Sequence, residues 1–447
     1  MAVDYRIRSP QKPFMSLSGK NRRAVVVSFL LAMTFCNVSL PIRILPELRN
    51  GYQDFTIFYT GARLLRTGQA SNLYDLGTQY RMQQSFTNVP TRLGPLPFNH
   101  PPFEAFFFIP LTFLTYWPAY LLWTTLNLMM VAVSVVLLRR HFSVFAGVSP
   151  LVMGLGTTAF FPVAIGVVQG QDILFMLLLF VLAMICLDQG KDATAGALLG
   201  AGLFRPQLAV PLVLLFAVRR WRVLVGFMPV ALALGGLSVA LVGWRGPFDY
   251  VHFVLHLEGT DSRAFGPGAV PNLRGLVSQV PGLNPAGTAA HVLIFLASAV
   301  VFFLAMRRLR EGEGSNFFAS NFFAPNFFGS SFFASNFFAS SLAIVTTLLI
   351  SFHSLVYDFS LLLPLLLFLI SRTGDPISKA DGNETRNIGA AVILLAFLLL
   401  LTPIYVFLLM VTDRFFWFSV ILLGFYFWLL LSPEGDGRDR TTVSVGV

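Results

Sequence analysis

Long apolar runs alternate along this chain with short clusters of lysine and arginine. Several runs exceed the ~18 apolar residues that read as a membrane-spanning helix. They are too long and continuous for the ~10-residue alternating strands of a membrane barrel. The pattern predicts an all-α polytopic membrane protein.

Crossings are expected near residues 24–40, 117–138, 151–168, 173–187, 223–243, 290–306, up to Ser351, 359–370, 388–411 and 415–431, with the last two turning at Asp413-Arg414. The stretch 103–114 is too short to cross. Thr194–Val218 lies between Lys191 and Arg219-Arg220-Trp221-Arg222, two basic clusters that the positive-inside rule places on one side. Arg205-Pro206-Gln207 breaks it at its middle, and proline interrupts a helix. Two half-length helices that enter and leave on the same side satisfy both facts, provided protein or a cavity covers the broken backbone. The expected bundle holds about 10–12 transmembrane or re-entrant helices.

Arg6, Arg8, Lys12, Lys20, Arg22 and Arg23 precede the first run, so both termini are expected in the cytoplasm of a multi-pass plasma (inner) membrane protein. The first run has no small-residue cleavage pattern after it and reads as a retained anchor. The organisation is a basic N-terminus (1–23), a membrane domain (24–431) and a polar tail (432–447). Two outer loops (41–101 and 244–288) and a cytoplasmic loop (371–387) interrupt the membrane domain. Residues 316–340 repeat a pentapeptide: NFFAS, NFFAP, NFFGS, SFFAS, NFFAS. A period of five fits neither helix nor strand, so the segment reads as a low-complexity insertion at the start of the next span.

Only 12% of residues are charged, about half the usual share, and the net charge of +10 sits in loop clusters. That distribution argues against nucleic acid as a partner and for membrane lipids. Cys36 and Cys186 lie in apolar runs and make neither a disulfide framework nor a metal site.

Asp54, one of only 21 acidic residues, stands where the chain first leaves the membrane. After it, Phe55, Phe58, Ala62 and Leu65 recur at helical spacing opposite Thr56, Thr60, Arg63 and Thr67, and Gly68 marks the end. This short amphipathic helix is expected to lie in the outer interface. Asp54 occupies its N-cap position, so the carboxylate either caps the helix or takes a proton from a substrate.

The other polar groups expected on the outer face or inside the membrane are Asn99, His100, Gln169, Gln171, Arg205, Gln207, Arg274, His353 and Asp358. Ionisable residues at such depth are functional candidates by default. Arg205 reads as a snorkelling or hairpin-tip residue, or as an anion site where guanidinium and freed amides meet a phosphate. Asp358 reads as a cap, as the partner of an arginine, or as a substrate contact. His353 reads as an interfacial histidine or a substrate contact. No HExxH, paired-cysteine or DxD arrangement is present on the outer side, so no metal is expected.

Several short stretches together resemble glycosyltransferase family 87, the polyprenyl-phosphate-mannose-dependent mannosyltransferases of the GT-C membrane superfamily. They are Asp54-Phe55, Tyr59-Thr60-Gly61-Ala62-Arg63, Leu73-Tyr74-Asp75, Phe98-Asn99-His100-Pro101-Pro102, Trp123-Thr124-Thr125-Leu126-Asn127, Gly170-Gln171, Arg205-Pro206-Gln207, Asn272-Leu273-Arg274-Gly275-Leu276, and His353 with Tyr357-Asp358. The resemblance covers about residues 50–370 in order. His100 stands where a tyrosine is usual, Ile173 where an asparagine is usual, and the phenylalanine repeat has no counterpart.

The resemblance implies a GT-C-type bundle that transfers a hexose, mannose by analogy, from a polyprenyl-phosphate sugar. The acceptor is a lipid or glycan hydroxyl at the outer face, and configuration inverts. Asp54 would be the base, and Arg205 or Arg274 would meet the donor phosphate. Arg63, Asn99, His100, Gln171, Gln207, His353 and Asp358 would contact substrate. Neither cofactor nor metal is needed, because the lipid-linked sugar is itself a substrate. A transporter of a polar or lipid-linked substrate is the rival class. It predicts paired helix breaks in two repeated halves, and only one break is found. An inactive scaffold that keeps the fold is the third reading.

Overall fold

The computed structural model describes residues 19–88, 95–257, 270–285, 287–311, 332–373, 394, 396–412 and 414–431. Expectations for most of the N-terminus, for repeat residues 316–331, for the loop after Thr373, for Asp413 and for the tail lie outside these residues.

The described residues form helices and no strands. In order, the first six are α1 (Gly19–Arg43), α2 (Leu45–Asn50), α3 (Phe55–Arg66), α4 (Leu76–Gln84), α5 (Pro102–Phe107) and α6 (Tyr116–His141). Next come α7 (Pro150–Thr158), α8 (Phe161–Gln169), α9 (Ile173–Asp188), α10 (Asp192–Ala201), α11 (Pro206–Ala217) and α12 (Arg222–Val242). Then follow α13 (Gly246–Leu257), α14 (Leu273–Val277), α15 (Thr288–Glu311), α16 (Phe332–Ile350), α17 (Leu363–Thr373), α18 (Thr402–Val406) and α19 (Phe418–Leu431). A 3-10 helix, Val356–Leu362, leads into α17.

Four helices are long and apolar enough to cross a membrane: α1, α6, α12 and α15. Their exposed faces carry large apolar side chains such as Phe35, Met129, Leu232 and Phe295, as lipid contact requires. The expected single crossing at 151–168 is instead two helices, α7 and α8, bent by 63°. Pro162 at the start of α8 lacks a backbone N–H where that donor would have no partner in the helix, so the helix can restart there. Other expected crossings are apolar helices of 10–17 residues, among them α9 and α19, so fewer helices than expected span on their own.

α10 and α11 form the expected hairpin. Asp192, at the start of α10, pairs with Arg220, just after α11, at 2.9 Å. The hairpin therefore begins and ends in one place, with Arg205 at its tip. Gly196 and Gly226 let α10 and α12 pack backbone to backbone: a Cβ on Gly196 would lie 1.8 Å from the Val223 carbonyl oxygen, and one on Gly226 would lie 1.7 Å from that of Ala193.

Two expectations are corrected here. α3 does not leave its polar stripe open, because Thr56 and Thr60 are as buried as Phe55 and Phe58. The Thr56 hydroxyl shares a 2.6 Å hydrogen bond with Tyr116 OH, and Thr60 donates to the Thr56 carbonyl at 2.6 Å. Tyr116 of α6 thus covers the Thr56 end of the polar stripe. The second correction concerns the last pentapeptide, Asn336–Ser340, which is helical and forms part of α16. Phe337 and Phe338 are in the core, and Asn336 Nδ2 donates to Asp188 while its Oδ1 accepts from Arg220. Burial against neighbouring helices outweighs the mismatch of a five-residue period.

Candidate active site

The site is built around the turn between α8 and α9. Three side chains on one stripe of α6 hold the backbone carbonyls of this region. Tyr120 OH donates to Val168 at 2.7 Å, Trp123 Nε1 to Gly170 at 2.8 Å, and Asn127 Nδ2 to Gln171 at 3.1 Å. Helical spacing puts residues 120, 123 and 127 on one face. Gly170 adopts φ +63°, and a Cβ there would meet the Phe55 Cβ at 2.9 Å. The turn therefore needs glycine twice over, for its left-handed backbone and for the close approach of α3.

That approach brings Asp54 to Gln171. Gln171 Nε2 donates to Asp54 Oδ2 at 2.6 Å, and Gln169 Oε1 accepts from the Asp54 backbone N–H at 3.0 Å. The Asp54 carboxylate makes no capping hydrogen bond to α3, although it sits at the N-cap position. The capping expectation is therefore replaced. The glutamines hold Asp54 in place and leave its carboxylate partly exposed.

The other end of the Gln171 amide accepts from Arg205. The Arg205 guanidinium is buried and donates through Nε to Asp172 Oδ1 at 2.9 Å and through NH1 to Asp358 Oδ1 at 3.2 Å. It also lies over the Tyr357 ring, 5.3 Å from the centroid. Asp358 Oδ2 accepts from the Leu355 backbone N–H at 2.8 Å, so this carboxylate is both a cap and the partner of an arginine. A buried ion pair must recover the cost of dehydrating each ion, and satisfying several donors at once does so. The proline break at Pro206 turns the backbone so that Arg205 reaches both carboxylates. Its charge is balanced within the protein by Asp172 and Asp358, at the junction of the site.

His100 and Glu104 join from the other side. Tyr74 OH donates to the His100 carbonyl at 2.8 Å and fixes its backbone. His100 Nδ1 lies 2.7 Å from Glu104 Oε2 and 3.9 Å from Asp172 Oδ2. Burial pushes the imidazole down to about 4. Burial, and then Asp172, push the Glu104 carboxyl well above the usual carboxylate range. Burial works against the Asp172 carboxylate as well, but Arg205, together with His100 and the hydrogen bonds it accepts, holds Asp172 below its ordinary value.

Arg274 and His353 form the third part. Asn272 caps α14 by accepting from the Gly275 N–H at 3.1 Å and ties it to the turn after α16 by donating to the Ser351 carbonyl at 2.5 Å. Arg274 NH1 donates to the Phe352 carbonyl at 3.3 Å and stacks on the Phe352 ring at 4.6 Å. Loss of water around the His353 ring, and then the charge of Arg274, push it down to about 3.

The structure thus links Asp54, Gln171, Arg205, Asp358 and His100, and sets Arg274 beside the turn that carries His353. Arg63 instead stacks on Tyr59 and Phe86, at 5.9 and 5.6 Å from their centroids. Asn99 and Gln207 are half-buried, with no bond into the network. Glu104 and Asp172 were missed from sequence. Their signal was a rare carboxylate in an apolar helix, spaced four residues from His100, and an acid directly after Gln171.

The sequence model of glycosyltransferase family 87 matches residues 98–335. The match takes in His100, Glu104, Gln171, Asp172, Arg205 and Arg274, and begins after Asp54. No curated protein and no solved structure matches the chain.

Proposed function

Because this chain belongs to glycosyltransferase family 87, a membrane glycosyltransferase by family and by its apolar helices, we propose that Asp54 is its catalytic base. The observation that carries this reading is the Asp54–Gln171–Arg205 chain of hydrogen bonds. It gives a half-buried carboxylate a fixed direction.

In the proposed reaction the donor is a polyprenyl-phosphate sugar, mannose in the first instance. The acceptor hydroxyl of a lipid or glycan attacks the anomeric carbon. As the new C–O bond forms and the bond to phosphate oxygen breaks, Asp54 takes the hydroxyl proton and polyprenyl phosphate departs. A single displacement inverts configuration and needs one carboxylate, unlike the pair used in glycoside hydrolysis. Arg274 is the proposed phosphate contact, because Arg205 is committed to Asp172 and Asp358. His353, beside Arg274, is the proposed sugar contact, and neutral imidazole suits hydroxyl recognition. The site would face the outer side of the membrane, with both termini inside. Arg63, Asn99 and Gln207 stay outside the proposed core.

The test is transfer by purified protein in lipid vesicles, supplied in turn with radiolabelled polyprenyl-phosphate mannose, glucose and arabinose or with nucleotide sugars. Transfer from a polyprenyl-phosphate sugar alone is expected. Transfer only from a nucleotide sugar would overturn the donor assignment, and no transfer with flux of the lipid-linked sugar across the bilayer would favour a transporter.

A further inference from the structure

One cluster does no work in the proposed transfer. His100 Nδ1 and a carboxylate oxygen from each of Glu104 and Asp172 all lie within 4.8 Å of one another, and all three residues are buried. Both Glu104 carboxylate oxygens, and Asp172 Oδ2, are buried, and the donor that faces them is the His100 imidazole. The Glu104 side chain is only 4% exposed. Glu104 Oε2 meets only the His100 Nδ1, at 2.7 Å, and keeping so buried a carboxylate ionised costs several kcal/mol of lost hydration, on the order of the penalty for an ion in a protein interior. Something must compensate for it.

The charges around it do not. The linked groups comprise four carboxylates (Asp54, Glu104, Asp172 and Asp358) and one guanidinium, Arg205. Arg205 gives its donors to Asp172 Oδ1, Asp358 and Gln171, and none to Glu104. Asp172 is therefore split: Oδ1 faces the guanidinium and Oδ2 faces His100 and Glu104.

We propose that His100 Nδ1, Glu104 and Asp172 Oδ2 bind one divalent cation of the zinc or manganese class. Two ligand atoms each about 2.1 Å from one ion stand about 3 to 4.2 Å apart. The 3.9 Å separation of His100 from Asp172 fits this, and the 2.7 Å separation of His100 from Glu104 opens by a few tenths of an ångström to admit the ion. One imidazole with two carboxylates suits borderline ions. Magnesium and calcium prefer oxygen alone.

The surroundings are those of a ligand imidazole. The Tyr74 hydroxyl holds the His100 backbone, Phe58 packs edge-on against the ring with centroids 4.9 Å apart, and the ring makes a hydrogen bond to the backbone of Phe204. Contacts of this kind orient a ligating histidine. The ion would pin the free oxygen of Asp172, while Arg205 pins the other. The competing explanation is a proton shared between Glu104 and Asp172, which would satisfy the same oxygens without a metal. Tyrosine, usual at position 100 in the resemblance above, would leave the two carboxylates without an imidazole partner.

The experiment uses full-length protein in nanodiscs, stripped with chelator, incubated separately with Zn2+ and Mn2+ and desalted. Elemental analysis should find about one ion per chain in the wild type, and at least a tenfold loss in Glu104→Gln and in His100→Tyr, each checked by thermal unfolding. The Mn2+-loaded wild type should show, by pulsed electron paramagnetic resonance, coupling to one imidazole nitrogen. That measurement needs no variant to fold. A wild type that retains neither ion, variants that retain it fully, or bound Mn2+ without nitrogen coupling would each overturn the site and leave the shared proton. None of these readouts depends on glycosyl transfer.

Discussion

Gln171 sits between Asp54 and Arg205, donating to the first at 2.6 Å and accepting from the second. An amide has one donor end and one acceptor end, so this bridge has a direction that no carboxylate or aliphatic side chain reproduces. Gln171→Leu keeps the bulk and removes both bonds. The expected result is a fall in kcat of about 100-fold, the scale at which a misplaced catalytic group is felt, with donor KM changed much less. Steady-state kinetics of the reconstituted protein checks this. Gln171→Glu should be at least as damaging, because it sets a second carboxylate against Asp54.

Arg205 is predicted to act through structure before chemistry. Arg205→Met leaves Asp172 and Asp358 buried without their shared cation, and breaking such a pair costs about 3–5 kcal/mol. The melting temperature in detergent should drop accordingly. Adding Asp172→Asn and Asp358→Asn to Arg205→Met should recover part of the loss. If Arg205→Met melts like the wild type, the ion-pair reading is wrong and Arg205 is released for a phosphate.

What the sequence made legible was local. Proline marked the break at Arg205, and the basic clusters at either end showed that the hairpin returns to its starting side. A carboxylate as scarce as Asp54 stood out for the same reason. Glu104 and Asp172 were illegible because their meaning arises from α5, α9 and the hairpin tip meeting in space. The polar stripe of α3 misled because Thr56 and Thr60 look solvent-facing until the fold buries them, Thr56 against Tyr116. The last pentapeptide misled because period alone does not register the packing of Phe337 and Phe338. Arg205 was recognised as important, but its two carboxylate partners lie 33 and 153 residues away.

Gly170 gives a test of the turn. Gly170→Ala forces a left-handed alanine, costing about 1–2 kcal/mol, and adds a clash with Phe55. Gly235→Ala is the control: nothing lies within 4 Å of its Cβ, and in the middle of α12 the change should stabilise by about 0.5–1 kcal/mol. Thermal unfolding of the two variants should therefore shift in opposite directions.

His353 predicts a pH dependence. Its pKa falls from 6.5 to about 3 in the fold, so the unfolded chain binds the proton first as pH drops. The stabilising contribution is complete above about 6.5 and declines from there towards about 3. His353→Gln should therefore flatten part of the loss of melting temperature between pH 7.5 and pH 4.5. An unchanged pH profile would mean that the ring stays hydrated.

The central claim is that Asp54 removes the acceptor proton. The most direct measurement is turnover of Asp54→Asn in lipid vesicles with the polyprenyl-phosphate sugar that the wild type uses, beside its melting temperature. Asparagine keeps the shape and loses the base, so transfer should fall by at least about 100-fold, within the range attributed to general-base catalysis, while melting changes little. Turnover within a few-fold of the wild type by a folded Asp54→Asn protein would contradict the account.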